Sequence, residues 1–432
     1  MSARLADPAR TRSKAGRRRI VLLLGGVLAL ESADLSTIGA VGPELESALG
    51  ITHAQLGLLA AAGTLTAALF TLPVGVLADR VTRTPLLAGS VGLWAVAMFV
   101  SGTAGSFTML LLSRVALGAV TATAGPTLLS LVGDYFEPRE RARHYSSILG
   151  GELLGSGFGF LVSGNLAGLL SWRWAFWVLV PPAVALAVAL HRHLPEPRRG
   201  TGSEQDMSLL AALRYVLSVR TNLMLIAAAV TGNFFFAGVR TFTVVFIHGH
   251  YRVPEALATT LMGVLGAGAL AGVLAGGRVA DALARRGHRT ARVTVAGAAT
   301  IAAAVLWTVP LVVTSLAVGL AVGLLAAAAM SMPNAPIDAA RLDVVPPRLW
   351  GRAESVRALL RALAFAAAPL VFGFAADRLG HGHGSGTQLA FLLMLVPLAL
   401  SGLVLLAARR TYPRDSRGQE VDRVGLSDER PG

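Results

Sequence analysis

Residues 75–83 read Gly-Val-Leu-Ala-Asp-Arg-Val-Thr-Arg and end a long apolar stretch with three charged side chains. Related pentapeptides end two later apolar stretches, Gly-Arg-Val-Ala-Asp at 277–281 and Gly-Phe-Ala-Ala-Asp at 373–377. A degenerate copy, Gly-Asn-Leu-Ala-Gly, ends a fourth at 164–168. These are the second, fifth, eighth and eleventh apolar stretches of the chain. The pattern therefore indicates a protein built from repeated three-helix units.

The stretches between these copies are long enough to cross a membrane. The chain of 432 residues is 54% hydrophobic and 14% charged, whereas soluble proteins carry about 25% charged residues. Roughly 20 mostly apolar residues cross a bilayer as one helix. We therefore predict an all-α integral membrane protein with twelve transmembrane helices in two six-helix bundles. The predicted spans are 19–41, 54–78, 84–104, 107–133, 142–168, 174–191, 221–248, 255–281, 292–310, 313–338, 352–377 and 387–408.

A hydrophilic stretch at 193–206 divides these spans six and six. The segment after it, 208–220, is amphipathic and is expected to lie on the membrane surface. The predicted divisions are a basic cytoplasmic tail at 1–18, an N-terminal bundle at 19–191, a cytoplasmic linker at 192–220, a C-terminal bundle at 221–408 and a cytoplasmic tail at 409–432.

The net charge of +14 comes almost entirely from arginine, since Lys14 is the single lysine. Strongly basic chains are also typical of nucleic-acid-binding proteins. Here the arginines fall in alternate short connections between apolar stretches, which is typical of loops that face the anionic cytoplasmic leaflet. We predict an inner (cytoplasmic) membrane protein with both termini in the cytoplasm, in contact with membrane lipids and not with nucleic acid.

The residues needed for several kinds of chemistry are missing from the sequence. Without cysteine it offers no disulfide and no thiolate metal site. The one lysine does not stand in a phosphate-binding glycine-rich motif, so ATP-driven pumping by this chain is not expected. His381 and His383 flank a glycine with no evident third ligand, and we interpret them as a loop rather than a metal site. We expect no enzymatic activity, cofactor or metal.

Four charged side chains within the predicted spans mark a candidate site. Glu31 and Asp34 lie three residues apart on one face of the first helix, Arg114 lies in the fourth and Arg240 in the seventh. A charge inside a bilayer costs roughly 2.5–3.5 kcal/mol to insert, so each one needs a partner or a function. We predict that Asp34, Glu31 and Arg114 carry proton coupling. The alternative is a static ion pair that holds the helices together.

Further polar and aromatic residues of the spans are candidates for substrate contact. Arg240 suits an anionic group through bidentate hydrogen bonds, or it is the counter-ion of a first-helix carboxylate. Glu152 is expected to be buried in the glycine-rich fifth span, where it contacts a cationic group, takes a proton or bonds a neighbouring helix. Asn233 and Phe236 are predicted to line a cavity, although an aromatic ring here fits a lipid-facing position equally well.

Two predicted spans carry a glycine at every fourth residue. Such stripes let helix backbones approach closely. We predict that they pack helices together, at a moving interface between the two bundles. The six glycines are Gly151, Gly155 and Gly159 in the fifth span and Gly268, Gly272 and Gly276 in the eighth.

The motifs carry a family resemblance. Residues 75–83 resemble the signature loop between the second and third helices of the major facilitator superfamily, and 276–289 is similar to its second-half copy. Arg-Val-Ala-Leu-Gly at 114–118 resembles the fourth-helix motif of the same superfamily. The resemblance covers essentially the whole chain. It implies a two-bundle secondary transporter that works by alternating access.

Within that superfamily three stretches, 51–59, 134–142 and 172–176, resemble the Spinster-like group. That resemblance implies export or flipping of lysolipids or sphingoid phosphates. Two positions depart from the group's pattern. Thr121 stands seven residues after the fourth-helix arginine, where the group usually has an acidic residue, and Leu35 follows Asp34 where the group has arginine. We include Thr121 among the candidate substrate contacts.

The same resemblance suggests helix-end charge contacts that form in one transport state and break in another. Arg357, with Arg361 one turn later, also suits an anionic lipid headgroup, and local pairing with Glu354 is the alternative. The candidate gating residues are Asp79, Arg80, Arg83, Asp281 and Arg357.

Together these features predict a monomeric secondary transporter that exports or flips an amphipathic, lipid-like compound in exchange for protons. Alternatives are a multidrug/proton antiporter, an organic-anion/proton symporter, and a membrane scaffold or sensor that transports nothing. Buried carboxylates argue against the scaffold, because a scaffold has no use for groups that are costly to insert.

Overall fold

The computed structural model describes residues 14–136, 138–196, 214, 218–345, 350–380 and 385–416. Most of the two predicted tails, most of the amphipathic segment and both loop histidines lie outside these residues. The helices of the first half are α1 Lys14–Ala40, α2 Gly42–Leu49, α3 His53–Arg80, α4 Arg83–Thr103, α5 Phe107–Thr121, α6 Ala124–Tyr135, α7 Pro138–Phe158, α8 Gly164–Leu169, α9 Trp172–Trp177 and α10 Val180–His193.

The second half continues the all-α architecture. Its helices are α11 Arg220–Tyr251, α12 Glu255–Arg285, α13 Ala291–Val312, α14 Leu316–Ser331, α15 Asn334–Val344, α16 Trp350–Leu379 and α17 Ser385–Ala407. Each predicted span is matched by one helix or by consecutive helices. The predicted fold class, an all-α multi-pass membrane protein, is confirmed.

Four of the predicted spans are interrupted, and proline explains three of the breaks. Proline has no N–H for the helix ladder, so a helix tends to end and restart beside it. Pro126 lies in the first turn of α6, Pro181 in the first turn of α10, and Pro333 between α14 and α15. The fifth span instead passes through a π-helical turn, Gly159–Ser163, between α7 and α8.

Length and composition alone identify ten helices of the described part as candidate membrane spans, with Phe107–Thr121 as a shorter apolar helix. The fourth predicted span falls short because it is broken after Thr121. The fifth is carried largely by α7, which begins at Pro138 with Arg139, Glu140, Arg141 and Arg143, and these charges lower the mean hydropathy of that helix. Large apolar side chains are exposed along the helices, such as Leu154 at 77%, as expected where side chains meet lipid.

The chain forms two compact units. Unit 1 consists of Met1–Ser203, Arg240–Gly263 and Pro369–Asp377, and unit 2 of Glu204–Val239, Val264–Ala368 and Arg378–Gly432. Unit 1 has an apolar core built around fully buried Leu24, Leu87 and Ile148. The core of unit 2 includes Val293, Leu405 and the other residues of a separate buried cluster.

The glycine stripe of α7 packs against α1 within unit 1. A Cβ atom at Gly155 would overlap the carbonyl oxygen of Ala29, and one at Gly151 would overlap that of Gly25. The two backbones therefore touch, as the stripe predicts. In unit 2 the stripe of α12 packs in the same way against α14 and the residue that follows it, with Gly272 against the carbonyl of Ala328.

Close packing at both stripes is confirmed, but the predicted location is wrong. Each stripe joins two helices of one unit, so it is not an interface between the two predicted bundles. Helix period places every fourth residue on one face, yet it does not say which neighbour that face meets.

Gly155→Ala should lower the thermal unfolding midpoint of the purified protein by several degrees. Its Cβ needs the α1 backbone to move, and overpacking of this kind typically costs about 1–3 kcal/mol. Gly157→Ala is the matched control, because a Cβ there meets nothing within 4 Å. Unfolding in detergent, followed by tryptophan fluorescence, measures both. Equal midpoints for the two variants would contradict the packing described.

Candidate functional site

A polar run crosses the middle of α1, with Glu-Ser-Ala-Asp-Leu-Ser-Thr at 31–37. Two of its hydroxyls bond back to the helix itself: Ser36 Oγ donates to the Ser32 carbonyl at 2.8 Å and Thr37 Oγ1 to the Ala33 carbonyl at 2.9 Å. Ser32, Asp34, Ser36 and Thr37 are all buried. The run is therefore an internal surface of unit 1.

Asp34 and Arg114 form a buried ion pair between α1 and α5. Arg114 Nη2 donates to both carboxylate oxygens of Asp34, at 2.6 and 2.5 Å. The side chains are 2% and 3% exposed. The Arg114 guanidinium also lies 5.8 Å from the ring centroid of Phe176. Little water reaches this pair, so its protonation state strongly affects its energy.

Arg240 approaches the same stretch of α1 from another side. Its Nη2 donates to the Ser32 carbonyl at 2.6 Å, to Ser32 Oγ at 3.1 Å and to Ser36 Oγ at 2.9 Å. These are neutral oxygens, whereas a direct carboxylate partner was one expectation. The carboxylates of Glu152, Asp34 and Glu31 interact with Arg240 electrostatically. Two guanidinium groups and three carboxylates thus meet around one stretch of α1.

Glu31 and Glu152 occupy less enclosed positions than the ion pair. Glu31 lines a cavity of about 20 Å³ together with Trp94 and Thr121, a volume that holds about one water molecule. Thr121 Oγ1 donates to the Gly118 carbonyl at 3.1 Å. Glu152 is exposed, so the expectation of a lone buried glutamate is wrong. The apolar content of a helix does not show which of its faces is buried and which is exposed.

Serine and threonine residues connect α1 to the fifth span, and the sequence analysis missed them. Ser36 Oγ lies 3.0 Å from Ser156 Oγ, and Thr37 Oγ1 lies 3.1 Å from Ser163 Oγ. The available signal was the i, i+4 spacing of Ser32 and Ser36 beside Asp34. Hydroxyls cost less than charges to insert in a bilayer, so they do not stand out in a search for ionisable residues.

The signature loop is held by Arg83, the last residue of the quoted stretch. Arg83 Nη1 donates to Asp134 Oδ2 at 2.5 Å and to Ser130 Oγ at 2.6 Å, and Arg83 Nε donates to Glu196 Oε1 at 3.2 Å. Glu196 Oε2 also accepts the backbone N–H of Thr84 at 2.7 Å. The acidic partners Asp134 and Glu196 were not predicted, because they are 51 and 113 residues away.

Other predicted gating residues differ in their surroundings. Arg80 and Asp281 are exposed at the ends of their helices, and the side chain of Asp79 lies outside the described part. Asp377, which ends a later copy of the pentapeptide, accepts the backbone N–H groups of His53 and Ala54 at 3.1 and 2.9 Å. It therefore satisfies donors at the start of α3 that have no partner within the helix.

The remaining predicted residues lie in unit 2. Arg357 Nη1 pairs with Asp338 Oδ1 at 3.2 Å, and the side chain of the alternative partner, Glu354, lies outside the described part. Asn233 Oδ1 accepts from Arg361 Nη2 at 3.4 Å. Phe236 is 38% exposed on the same helix as Asn233. The structure thus brings Asn233 and Arg361 together, a pairing that the sequence did not indicate.

The sequence of residues 22–334 matches the family model of the Major Facilitator Superfamily. The chain belongs to this superfamily. The superfamily resemblance of its motifs is confirmed.

Curated relatives of this facilitator include other transporters. It is 29% identical over 198 residues to the 3-(3-hydroxy-phenyl)propionate transporter of Escherichia coli, an alignment covering 45% of this chain and 49% of that one. It is 29% identical over 182 residues to the uncharacterized transporter EfpA of Mycobacterium tuberculosis, covering 41% and 34%. The facilitator thus spans about half the length or less of these relatives.

Solved structures share the fold of this facilitator. A bacterial homologue of the human lysosomal transporter Spinster, in an inward-facing and occupied conformation, superposes with a TM-score of 0.83 at 20% identity, covering 93% of this chain and 99% of that one. The nucleoside transporter NupG gives a TM-score of 0.73 at 13% identity, covering 91% and 99%. The likeness to the Spinster homologue agrees in fold with the motif resemblance.

Glu44 lies on α2, in the connection between the first two membrane-spanning helices of this facilitator, next to a second carboxyl group. Glu44 of α2 hydrogen-bonds Glu255, the first residue of α12, within unit 1. Burial, strengthened by the hydrogen bond and the negative charge of Glu255, raises the pKa of Glu44 to about 8. Two carboxyl groups share a hydrogen bond only if one carries a proton. The α2–α12 contact therefore needs that proton.

The thermal unfolding midpoint should fall as pH rises from about 5 to about 8, and this group should change it little at higher pH. The raised pKa means that the folded state holds a proton that the unfolded state has released, so stability is lost as pH approaches the pKa of about 8. Glu44→Gln keeps a donor but cannot ionise, so its midpoint should vary less with pH. Glu140→Gln, which removes the partly exposed partner of Arg17 instead, is the control. Parallel pH profiles for parent and Glu44→Gln would contradict this role.

Proposed function

We propose that this facilitator exports or flips an amphipathic, lipid-like compound in exchange for protons, by alternating access. We further propose that it lies in the inner membrane with both termini in the cytoplasm. The observation that supports proton coupling most directly is the buried Asp34–Arg114 ion pair. The motif resemblance to Spinster-like proteins supports the lipid-like substrate.

The free energy lost when one charge of the ion pair is removed is close to the free energy that shifts a protein between two conformations. Removing the charge of one partner from a buried pair costs about 3–5 kcal/mol, since the other charge is left without compensation. Moving a two-state equilibrium from 1:99 to 99:1 takes about 5.5 kcal/mol. Protonation of Asp34 therefore biases the protein strongly toward any conformation that gives Arg114 another partner.

The surrounding carboxylates interact with Arg240, and one of them offers a further place for the proton. Glu31 and Glu152 interact electrostatically with Arg240, as Asp34 does. Glu31 also borders a cavity large enough for about one water molecule. In the proposed cycle a proton reaches Asp34 and weakens its bond to Arg114. Its release on the other side of the membrane restores the pair.

Organic-anion/proton symport is the second candidate function. It is favoured by the E. coli relative, whose name assigns it an aromatic carboxylate. Drug/proton antiport needs the same coupling residues and differs in substrate. Transport in oriented proteoliposomes separates these functions, because a symporter accumulates its substrate along an inward proton gradient and an antiporter expels it.

Asp34→Asn should strongly slow substrate-dependent proton movement in proteoliposomes that contain a pH-sensitive dye. Loss of the titrating charge is expected to slow coupled transport roughly 100-fold, the rate equivalent of about 3 kcal/mol. Lysolipids, cationic drugs and aromatic acids form the substrate panel.

Glu140→Gln is the matched control for this substitution. It also converts a carboxylate to an amide in an ion pair, but the pair with Arg17 is partly exposed, and such pairs contribute little. If folded Asp34→Asn moves protons as fast as the parent and as Glu140→Gln, the coupling proposal is wrong. A membrane scaffold would show no substrate-dependent proton movement in any of the three proteins.

A further inference from the structure

In unit 1 the start of α4 binds a carboxylate of the chain itself. Glu196 Oε1 accepts from Arg83 Nε at 3.2 Å, and Glu196 Oε2 accepts the backbone N–H of Thr84 at 2.7 Å. A second acid, Asp134, is the penultimate residue of α6 and accepts from Arg83 Nη1 at 2.5 Å. The helix start and its arginine therefore form an anion site that two acids of the chain occupy.

Unit 2 repeats the first ion pair of this arrangement. Arg292, the second residue of α13, pairs with Asp343, the penultimate residue of α15. The two residues are 51 apart in the sequence, as are Arg83 and Asp134. The repetition of three-helix units that the sequence indicates therefore extends to this ion pair.

The second acid of the unit 1 site has no counterpart among the described contacts of Arg292. Tyr412 follows the last helix of unit 2, and its hydroxyl donates to Asp343 Oδ2. The backbone N–H of Val293 corresponds to the one that Glu196 binds, and within the described part of the chain it has no hydrogen-bond partner. Unit 2 thus keeps the arginine and the helix-start donor without a carboxylate that bridges them.

A surface pocket of about 230 Å³ lies at this helix start and is named the α13 pocket below. Asp343, Tyr412 and Arg292 line it together with the loop before α13, where His288 and Arg289 are exposed. The Arg292 side chain is 28% exposed. One water molecule takes about 30 Å³ of the liquid, so the α13 pocket admits a group of several non-hydrogen atoms.

The charge of the α13 pocket favours an anion. Arg289 and Arg292 contribute two guanidinium groups against the single carboxylate of Asp343, whereas one arginine meets two acids in the occupied site of unit 1. A guanidinium presents N–H donors in a plane that match the oxygens of a phosphate. The α13 pocket therefore suits a phosphate group, which offers several acceptor oxygens at once.

The ends of three candidate membrane spans surround the α13 pocket. The span Ala291–Val312 begins in it, Leu316–Val344 ends one residue after Asp343, and Gly386–Arg410 ends two residues before Tyr412. The headgroups of phospholipids lie at this depth of a bilayer, and acidic lipids attract arginine side chains. A membrane phospholipid is thus the phosphate compound nearest to the pocket.

We propose that the α13 pocket binds the phosphate group of an acidic membrane phospholipid. Arg289 and the backbone N–H of Val293 donate to the phosphate oxygens, and Arg292 adds its positive charge while it stays paired with Asp343. The phosphate takes the place that the Glu196 carboxylate has in unit 1. This inference depends neither on the proposed substrate nor on proton coupling.

Calorimetric titration of the purified full-length protein in a nonionic detergent, at fixed ionic strength, tests the α13 pocket. Dioctanoyl phosphatidylglycerol is the probe, dioctanoylglycerol has the same chains without phosphate, and inorganic phosphate has no chains. The phosphatidylglycerol should bind most tightly. Arg289→Gln should weaken its binding roughly 10-fold, the lower end of the range for a hydrogen bond to a charged group, and leave binding of dioctanoylglycerol unchanged.

Arg286→Gln is the matched control for this substitution. It removes the same charge from the end of the same loop, but Arg286 is exposed and is not among the residues that line the α13 pocket. It should therefore bind phosphatidylglycerol like the parent. His288→Glu keeps the test decisive if Arg289→Gln fails to fold, because it places a carboxylate beside Arg289 and should also weaken phosphatidylglycerol binding.

Equal affinities of the parent, Arg289→Gln and His288→Glu for phosphatidylglycerol would overturn this site. So would an equal loss in Arg289→Gln and Arg286→Gln, which would indicate general attraction between surface charges rather than a pocket. Inorganic phosphate that binds as tightly as phosphatidylglycerol would overturn the lipid as the source of the phosphate. None of these results bears on the transport function, which Asp34→Asn tests separately.

Discussion

A charged pair buried among apolar helices is the constraint on which the rest of this facilitator depends. Asp34 and Arg114 are almost fully buried, and each compensates the charge of the other. Neither is tolerable alone in a bilayer, since an unpaired charge there is costly. The packing of α1 and α5 must therefore keep the two side chains together whenever both are ionised. Removal of one charge by a proton ends that requirement, which is why the pair suits a switch.

The neighbours of the ion pair are arranged around its charge. Arg240 donates to hydroxyl and carbonyl oxygens of α1, and its positive charge interacts electrostatically with Asp34. Ser36 and Thr37 extend the contact from α1 to the fifth span through hydroxyls. Glycines such as Gly155 bring the backbones of α1 and α7 close enough for these short side chains to meet. Polar contact and close backbone packing are thus parts of one arrangement.

The contacts of the repeated pentapeptide explain why it contains a glycine and an aspartate. At its last copy, a Cβ on Gly373 would overlap the carbonyl oxygen of His53, while Asp377 accepts the first N–H groups of the same helix. Glycine permits the close approach and aspartate satisfies the donors that the helix start leaves unpaired. At the first copy, Arg83 instead forms ion pairs with Asp134 and Glu196. The pattern therefore serves helix-end contacts at both places, with different partners.

The sequence by itself determined the membrane architecture, since continuous apolar runs have to be helices where no water satisfies the backbone. It also identified the residues most costly to bury, Asp34, Arg114 and Arg240, because ionisable groups are conspicuous in an apolar span. Only the tertiary structure decided their partners: the serines that hold Arg240, the acids that hold Arg83, and the asparagine beside Arg361. It also showed that the glycine stripes join helices within a unit. Helical period fixes which residues share a face, whereas the partner of that face depends on how distant segments pack.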